Sequence, residues 1–287
     1  MKGIMISNGF LRGEKFAQPA RMLSDAAAAM GIGLRTMSNS DLVFGIGDSE
    51  ACRRIIGDAD FILFWDKDVR LASNLELCGL NVFNSSECIR ICDDKSETHL
   101  RLARAGVPMI PTTVCPLSFS GYDDLGFLAD AAERIGFPMV VKDCFGSFGE
   151  QVRLARDMAE LEASVSGPFV PRILQRYIEA SATDIRAEVV GGEMVACVSR
   201  RGPEGDFRSN CTIGGTMEEF DAPSDIRDLA VSAAEAVGAD FCGVDIIMDG
   251  DEPLVCEVNS NAYIMNLLNC TGHDVSYDIL RHIRERL

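Results

Sequence analysis

Asp245 and Glu257 stand in two apolar runs, residues 241–248 and 253–259, divided by Asp249-Gly250-Asp251-Glu252. With Gly250-Asp251-Glu252 as a three-residue hairpin loop, residue 249 pairs with 253, 247 with 255 and 245 with 257. Asp245 then faces Glu257, and Asn259 follows two residues later on the same face. Two opposed carboxylates within apolar strands destabilise each other unless a cation lies between them. Carboxylate and amide oxygens, without sulfur or imidazole, suit hard Mg²⁺. On a solvated face in another register the same residues would need no metal. Ile247 and Val255, which this register places on the same face, favour a buried face and hence the metal.

Two further stretches could handle anions. Met139-Val140-Val141-Lys142 reads as a strand entering the loop Asp143-Cys144-Phe145-Gly146-Ser147-Phe148-Gly149. Its glycines, with Ser147 between them, could bring backbone N–H groups against phosphate oxygens. A plain hairpin turn is the other reading, and the order of a P-loop is absent. Arg200, Arg201 and Arg208 fall within nine residues of a glycine-punctuated loop that either clamps an anion or is simply solvated. Only five of the 27 basic residues are lysine, and Lys142 is the only one after Lys95. Codon usage is the simple account of that shortage, yet two lysines, two loops and a cation site are together what a Mg-nucleotide needs.

The elements that must carry these groups can be read from pattern. Residues 2–7 are a short apolar strand, with further strands over 33–37, 60–65 and 79–83 and an alanine-rich helix over residues 17–30, so a parallel sheet flanked by helices is expected. No G-x-G-x-x-G follows the first strand, which leaves a dinucleotide site there without support. A helix over residues 93–105, capped by Asp93 or Asp94 and stopped by Gly106, sets Lys95 in its first turn. A further helix spans residues 123–135. Strands 185–190 and 194–199 meet at Gly191-Gly192 as a hairpin. Ser224 caps a helix with the stripe Ile226, Leu229, Ala230, Ala233 and Val237, closed by Gly238.

Composition narrows the function classes. The 287 residues carry 44 acidic and 27 basic side chains, a formal charge of −17, which disfavours a nucleic-acid partner. No apolar run approaches the roughly 18–20 residues of a membrane span, and the N-terminus turns polar too soon for a signal peptide. A cytoplasmic protein with no membrane partner is expected. Eleven cysteines are scattered without a C-x-x-C, and with three histidines they complete no zinc site. They read as small buried apolar residues.

With these motifs assembled, the sequence resembles the RimK-like ATP-grasp ligases. The resemblance covers roughly residues 90–275, with a compatible N-terminal domain before it. It rests on Asp94-Lys95, Val141-Lys142, Gln175-Arg176-Tyr177-Ile178, Asp184-Ile185-Arg186, the segment Glu204-Gly205-Asp206-Phe207-Arg208-Ser209-Asn210, and Asp245 with Glu257-Val258-Asn259. It implies an α/β protein: a Rossmann-like parallel-sheet domain of the pre-ATP-grasp kind over residues 1–92, followed by a two-subdomain α+β ATP-grasp fold. The subdomain with the glycine-rich flap would span 93–175 and the one with the metal site 176–287.

By the same resemblance Lys95, Lys142 and Ser147 bind the ATP phosphates, Gln175 to Ile178 run along the adenine, and Asp184 lies near the ribose. Arg208, Ser209 and Asn210 face the phosphates, with Arg208 and Asn210 catalytic at the acyl-phosphate. Asp245, Glu257 and Asn259 hold two divalent ions, Mg²⁺ or Mn²⁺. The implied activity joins a carboxylate to an amine, an amino acid such as glutamate among them, with a peptide or protein tail as another acceptor and a homo-oligomer as the expected assembly. A coenzyme-precursor ligase, or an ATP-binding regulator without turnover, are the alternatives. Three departures stand out: Arg176 where relatives often carry glutamate, an aromatic flap, and Ser260-Asn261-Ala262-Tyr263 in place of a Ser-Pro-Gly-like turn.

Overall fold

The computed structural model describes residues 1–146, 149, 151–180, 182–203, 205, 207 and 215–287. Three sheets organise these residues. The first holds β1 (Lys2–Ser7), β2 (Gly33–Ser38), β3 (Phe61–Trp65) and β4 (Val82–Phe83), all parallel, in the order β2-β1-β3-β4. Its helices are α1 (Glu14–Ala29), α2 (Ser49–Ile56) and α3 (Val69–Leu77). Phe61, Ile62, Leu63 and Phe64 are fully buried, as a strand covered on both faces requires. From β1 the chain runs outward to β2 and then crosses to the other side for β3. Such a switch leaves a crevice at the carboxyl ends of β1 and β3.

Helix α4 (Ser86–Asp93), which the sequence pattern did not indicate, precedes α5 (Lys95–Ala105). Two of its four apolar positions are cysteines, Cys88 and Cys92, and it is only eight residues long, so its periodicity is faint. Asp94 caps α5 by accepting from the backbone N–H groups of Ser96 and Glu97, which fixes Lys95 at the helix start.

The second sheet is antiparallel, β5 (Thr112–Val114), β6 (Met139–Asp143), β7 (Val152–Ala155) and β8 (Arg172–Arg176), in the order β5-β8-β6-β7. Helices α6 (Phe127–Ile135) and α7 (Met158–Val165) cover it through Leu128, Val141, Leu161 and Leu174. The third contains β9 (Thr183–Val190), β10 (Glu193–Arg201), β11 (Thr216–Glu219), β12 (Phe241–Asp249) and β13 (Glu252–Asn259), ordered β11-β10-β9-β12-β13. Gly191 and Gly192 turn β9 into β10 at φ of +60° and +82°, the left-handed pair that a tight hairpin demands.

Helix α8 (Ser224–Val237) buries the expected stripe against this sheet, but Pro223 is its N-cap and Ser224 is its first helical residue, without a capping hydrogen bond. Helices α9 (Met265–Thr271) and α10 (Val275–Arg286) close the chain. Ile279 and Ile283 of α10 share one core with Met5, Leu23 and Phe61 of the N-terminal unit. Among the described residues, no helix is long and apolar enough to cross a membrane. The ten described cysteines are all free and eight are buried, in keeping with an apolar role.

The β12–β13 hairpin reaches the expected Asp245–Glu257 pairing by a different route. Asp249 pairs with Glu252 across the two-residue turn Gly250-Asp251, so Ile247 meets Leu254 and Ile246 meets Val255. The register then shifts, with Cys256 as the extra residue, and Asp245 meets Glu257. The expected pairing of 247 with 255 is thereby corrected. Val255 packs with Ile246 and α8 on the far face, while the bulge turns both Cys256 and Glu257 toward the cavity that holds the candidate site.

Candidate active site

A cavity of about 920 Å³ opens where the three sheets meet. Its wall includes Lys142 of β6, Gln175 and Arg176 of β8 with Tyr177 and Ile178 just beyond, Asp184 of β9, Asp245 of β12, and Glu257 and Asn259 of β13. Lys95 stands just behind this wall. Its ammonium lies 3.5 Å from Glu257 Oε1 and donates to the Gly146 carbonyl at 3.2 Å. The buried Lys142 ammonium lies 3.2 Å from Cys256 Sγ. Burial alone would lower its pKa, but Cys256, Glu257 and Asp245 outweigh that and hold it above its ordinary value. Ser147, Arg208, Ser209 and Asn210 lie outside the described residues.

The cavity floor is a charged ladder whose members, Glu188 excepted, the sequence reading named singly without linking them. Asp184, Arg186 and Glu188 alternate along β9, Arg200 comes from β10 and Asp245 from β12. Arg186 donates to Asp245 through Nε at 2.5 Å and Nη2 at 2.9 Å. Arg200 grips Asp184 at 2.7 and 2.6 Å and also reaches Asp245 Oδ1 at 2.7 Å. Burial would raise the Asp245 pKa, and the two guanidinium groups more than reverse it. Glu188 is less well compensated, and burial pushes it up to about 7 despite Arg186 3.6 Å away. The period-two run Asp184-x-Arg186-x-Glu188 was the available signal for this ladder.

Gln175 is set by buried neighbours. Its amide nitrogen donates to His99 Nε2 at 2.8 Å and to Thr112 Oγ1 at 2.9 Å. His99 is therefore the neutral Nδ1–H tautomer, donating at 2.8 Å to the Lys95 carbonyl. Burial lowers its pKa to about 4. Gln175 Oε1 is buried without a partner among the described residues, and so is Arg176 Nε. The Arg176 guanidinium is ion-paired to Asp249, and the Tyr177 and Phe207 rings meet edge to face at 6.4 Å.

Oxygen donors for a divalent ion share the face formed by Asp245, Glu257 and Asn259. Asp245 already accepts from Arg186, Arg200 and, at 3.3 Å, the Asn259 amide. Glu257 keeps about a quarter of its side-chain surface open, and the Asn259 carbonyl oxygen is turned from that contact. Among the described residues no three His, Cys, Asp or Glu side chains cluster as metal ligands. The donor set fits a hard ion that takes its remaining oxygens from phosphates, with Glu257 and Asn259 contributing more than the arginine-bound Asp245.

The wall continues into the N-terminal unit through Asn8, Trp65 and Asp66, with Asn261 beyond β13. Asn261 belongs to the segment 260–263, which departs from the family pattern and which the resemblance sets near the acceptor site, whereas Asn8, Trp65, Asp66, Cys256 and His99 were not expected from the sequence. A bulge leaves no mark in strand alternation, and the crevice depends on the path of the first sheet.

A family model described as the RimK-like ATP-grasp domain matches residues 92–283. An uncharacterised protein of Mycoplasma pneumoniae is 33% identical over 250 residues, 85% of each chain. The human N-acetylaspartylglutamate synthase A is 36% identical over 200 residues, 68% of this chain and 50% of that protein. The chain thus spans about half the length of that relative. An ATP-grasp RimK domain protein of Sphaerobacter thermophilus shares the fold, with a TM-score of 0.72 at 22% identity over 98% of this chain and 99% of that one.

Proposed function

The chain belongs to the RimK-like ATP-grasp family, and we propose that it uses ATP to join a carboxylate to an amine through an acyl-phosphate. The observation that carries this reading is the convergence of Lys95 and Lys142, from two separate elements, on the bulged end of β13, with Lys142 lining a cavity shared by all three sheets and Lys95 behind its wall. Two buried ammonium groups beside an oxygen-rich strand end suit a phosphate chain. The division at residues 92 and 175 is supported by the near-coincidence of each proposed unit with one sheet.

In this reading Lys95 and Lys142 take the ATP phosphates, helped by Ser147 in the flap. Gln175 to Ile178 lie along the adenine, whose amino group is a donor for the unpartnered Gln175 Oε1. Asp184, held by Arg200, is placed toward the ribose. Glu257 and Asn259, with Asp245, would hold divalent ions, Mg²⁺ or Mn²⁺, which offset phosphate charge. A substrate carboxylate oxygen attacks the γ-phosphorus and ADP leaves. The amine nitrogen then attacks the acyl carbon, the C–O bond breaks, phosphate departs and the nitrogen loses a proton. The chain supplies position and charge rather than a nucleophile, with Arg208 and Asn210 at the acyl-phosphate. An amino acid such as glutamate, or a peptide tail, are the proposed substrates.

ADP release from ATP and Mg²⁺ across paired amino acids tests the reading. Lys142→Ala and Glu257→Gln are each expected to lower kcat by about 10²–10³-fold, the cost of removing one charge-stabilising group. Equal turnover by both variants would overturn the assignment. ATP binding by the wild type without ADP release in any mixture would favour the regulatory alternative.

A further inference from the structure

Six carboxylates are buried among the described residues: Asp66, Asp143, Asp184, Glu188, Asp245 and Asp278. Five of them have an arginine within ion-pair distance. Asp66 has no ion pair among the described residues. Its oxygens accept from the Lys67 backbone N–H at 2.7 Å and the Asn8 amide at 3.1 and 3.3 Å. Burial raises its carboxyl above the ordinary value, outweighing these amide donors. A buried carboxylate left this way is costly unless a cation reaches it.

Asp66 follows β3 and Asn8 follows β1, so the pair sits in the crevice where the first sheet reverses direction, and both line the cavity. Asn261 ties this crevice to the reaction end of the site. Its amide donates to the Asp66 carbonyl at 2.8 Å, and it lies two residues beyond Asn259 on the same chain segment. Its own Oδ1 is buried without a partner among the described residues, a second acceptor beside the first. Through Asn261 a group held here is joined to the chain segment that follows the strand end where the acyl-phosphate would form.

The geometry points to Asp66, oriented by Asn8 and Asn261, as the binding group for the cationic nitrogen of the amine substrate. This rests on the ligase reading above. Asp66 selects substrates that bring a positive nitrogen into the crevice; that ammonium passes one proton to solvent before its freed lone pair attacks the acyl carbon, and activation of the carboxylate is left untouched. Hydroxylamine separates the two halves, because it is small, uncharged at neutral pH, and captures an acyl-phosphate as a hydroxamate without needing an ammonium site.

The experiment supplies ATP, Mg²⁺ and each standard L-amino acid as carboxylate, with either hydroxylamine or an amino acid as the nucleophile. Asp66→Asn is expected to raise KM for the amino-acid amine by about 10- to 100-fold, the loss of one charge-assisted hydrogen bond. Hydroxamate formation and KM for ATP are expected to stay within about twofold, since charge loss at Asp66 touches neither. Asp66→Glu, which keeps the charge, is expected to recover part of the amine affinity. An unchanged KM for the amine, a parallel fall in hydroxamate, or no recovery by Asp66→Glu would overturn the proposal. A wild type that forms neither hydroxamate nor ADP with any carboxylate would overturn the ligase reading, and this inference with it.

Discussion

Glu188 belongs to the charged floor and His99 lies behind Gln175, and burial moves their titrations in opposite directions, to about 7 and about 4. For His99 the unfolded chain binds the proton more readily, so folded stability is full above about pH 6.5 and is lost as pH falls toward 4. For Glu188 the folded chain holds the proton more tightly, so its contribution is full below about pH 4.5 and is lost as pH rises through 7. Each change is about 2 kcal/mol between pH 5 and 7, with opposite sign, and wild-type stability across that window is expected to be nearly level. His99→Gln should expose the Glu188 slope, with stability falling as pH rises, and Glu188→Gln should expose the reverse. Denaturant unfolding at pH 5 and 7 checks both; two variants with parallel slopes would contradict the assignment. Neither residue was legible as a site residue, because burial decides their behaviour. Asp245 and Glu257 were legible because a carboxylate inside an apolar run is conspicuous whatever surrounds it.

At the scale of elements, the β12–β13 hairpin shows how a correct pairing can rest on the wrong turn. A three-residue loop and regular strands align Asp245 with Glu257. So do the observed two-residue turn and a bulge at Cys256, since one residue fewer in the turn is offset by one more in the strand. The alternation of Ile247, Val255 and Glu257 could not distinguish the two, yet only the second turns Cys256 inward to Lys142. Gly243 sits opposite Asn259 on the same hairpin, and a Cβ there would meet Ala262 Cβ and Arg186 Nη1 at 2.8 Å and Glu188 Oε1 at 3.0 Å. Gly243→Ala must therefore displace Arg186 from Asp245 or spread β12 from the segment after β13. Overpacking of this kind costs about 1–3 kcal/mol. The expected outcome is a folded protein, by circular dichroism, whose ADP release falls well beyond what that stability loss explains. Unchanged kcat in Gly243→Ala would show that the Arg186–Asp245 contact tolerates displacement.

Across the whole molecule, the first sheet was legible because β1 and β3, buried on both faces, announce themselves as apolar runs. Its attachment to the far end of the chain was not, because the contacts span more than 150 residues. Asn84, fully buried, donates to the Phe241 and Ser260 carbonyls at 2.8 and 3.0 Å and accepts from the Asp240 and Phe241 N–H groups at 2.7 and 3.2 Å. Leu280 and Ile283 of α10 complete the same apolar cluster as Met5, Phe61 and Phe241. One face of the first sheet packs on a core drawn from residues 1–92 alone, with Ile4, Ile62, Phe64 and Leu75, while the other shares its cluster with α10, so loosening the C-terminal helix should loosen that shared face of the first sheet. Leu280→Ala creates a cavity in the shared cluster at a cost of about 2–5 kcal/mol. If the cluster is one cooperative unit, native-state hydrogen exchange should show the amides of Met5 in β1 and Phe241 in β12 losing protection by the same amount, because both are released by one opening event. Loss confined to Phe241 would make the N-terminal unit independent. Equal loss would mean that the crevice holding Asp66 and the floor holding Asp245 keep their spacing through a common core, so that the two halves of the proposed reaction are held in register by packing remote from either.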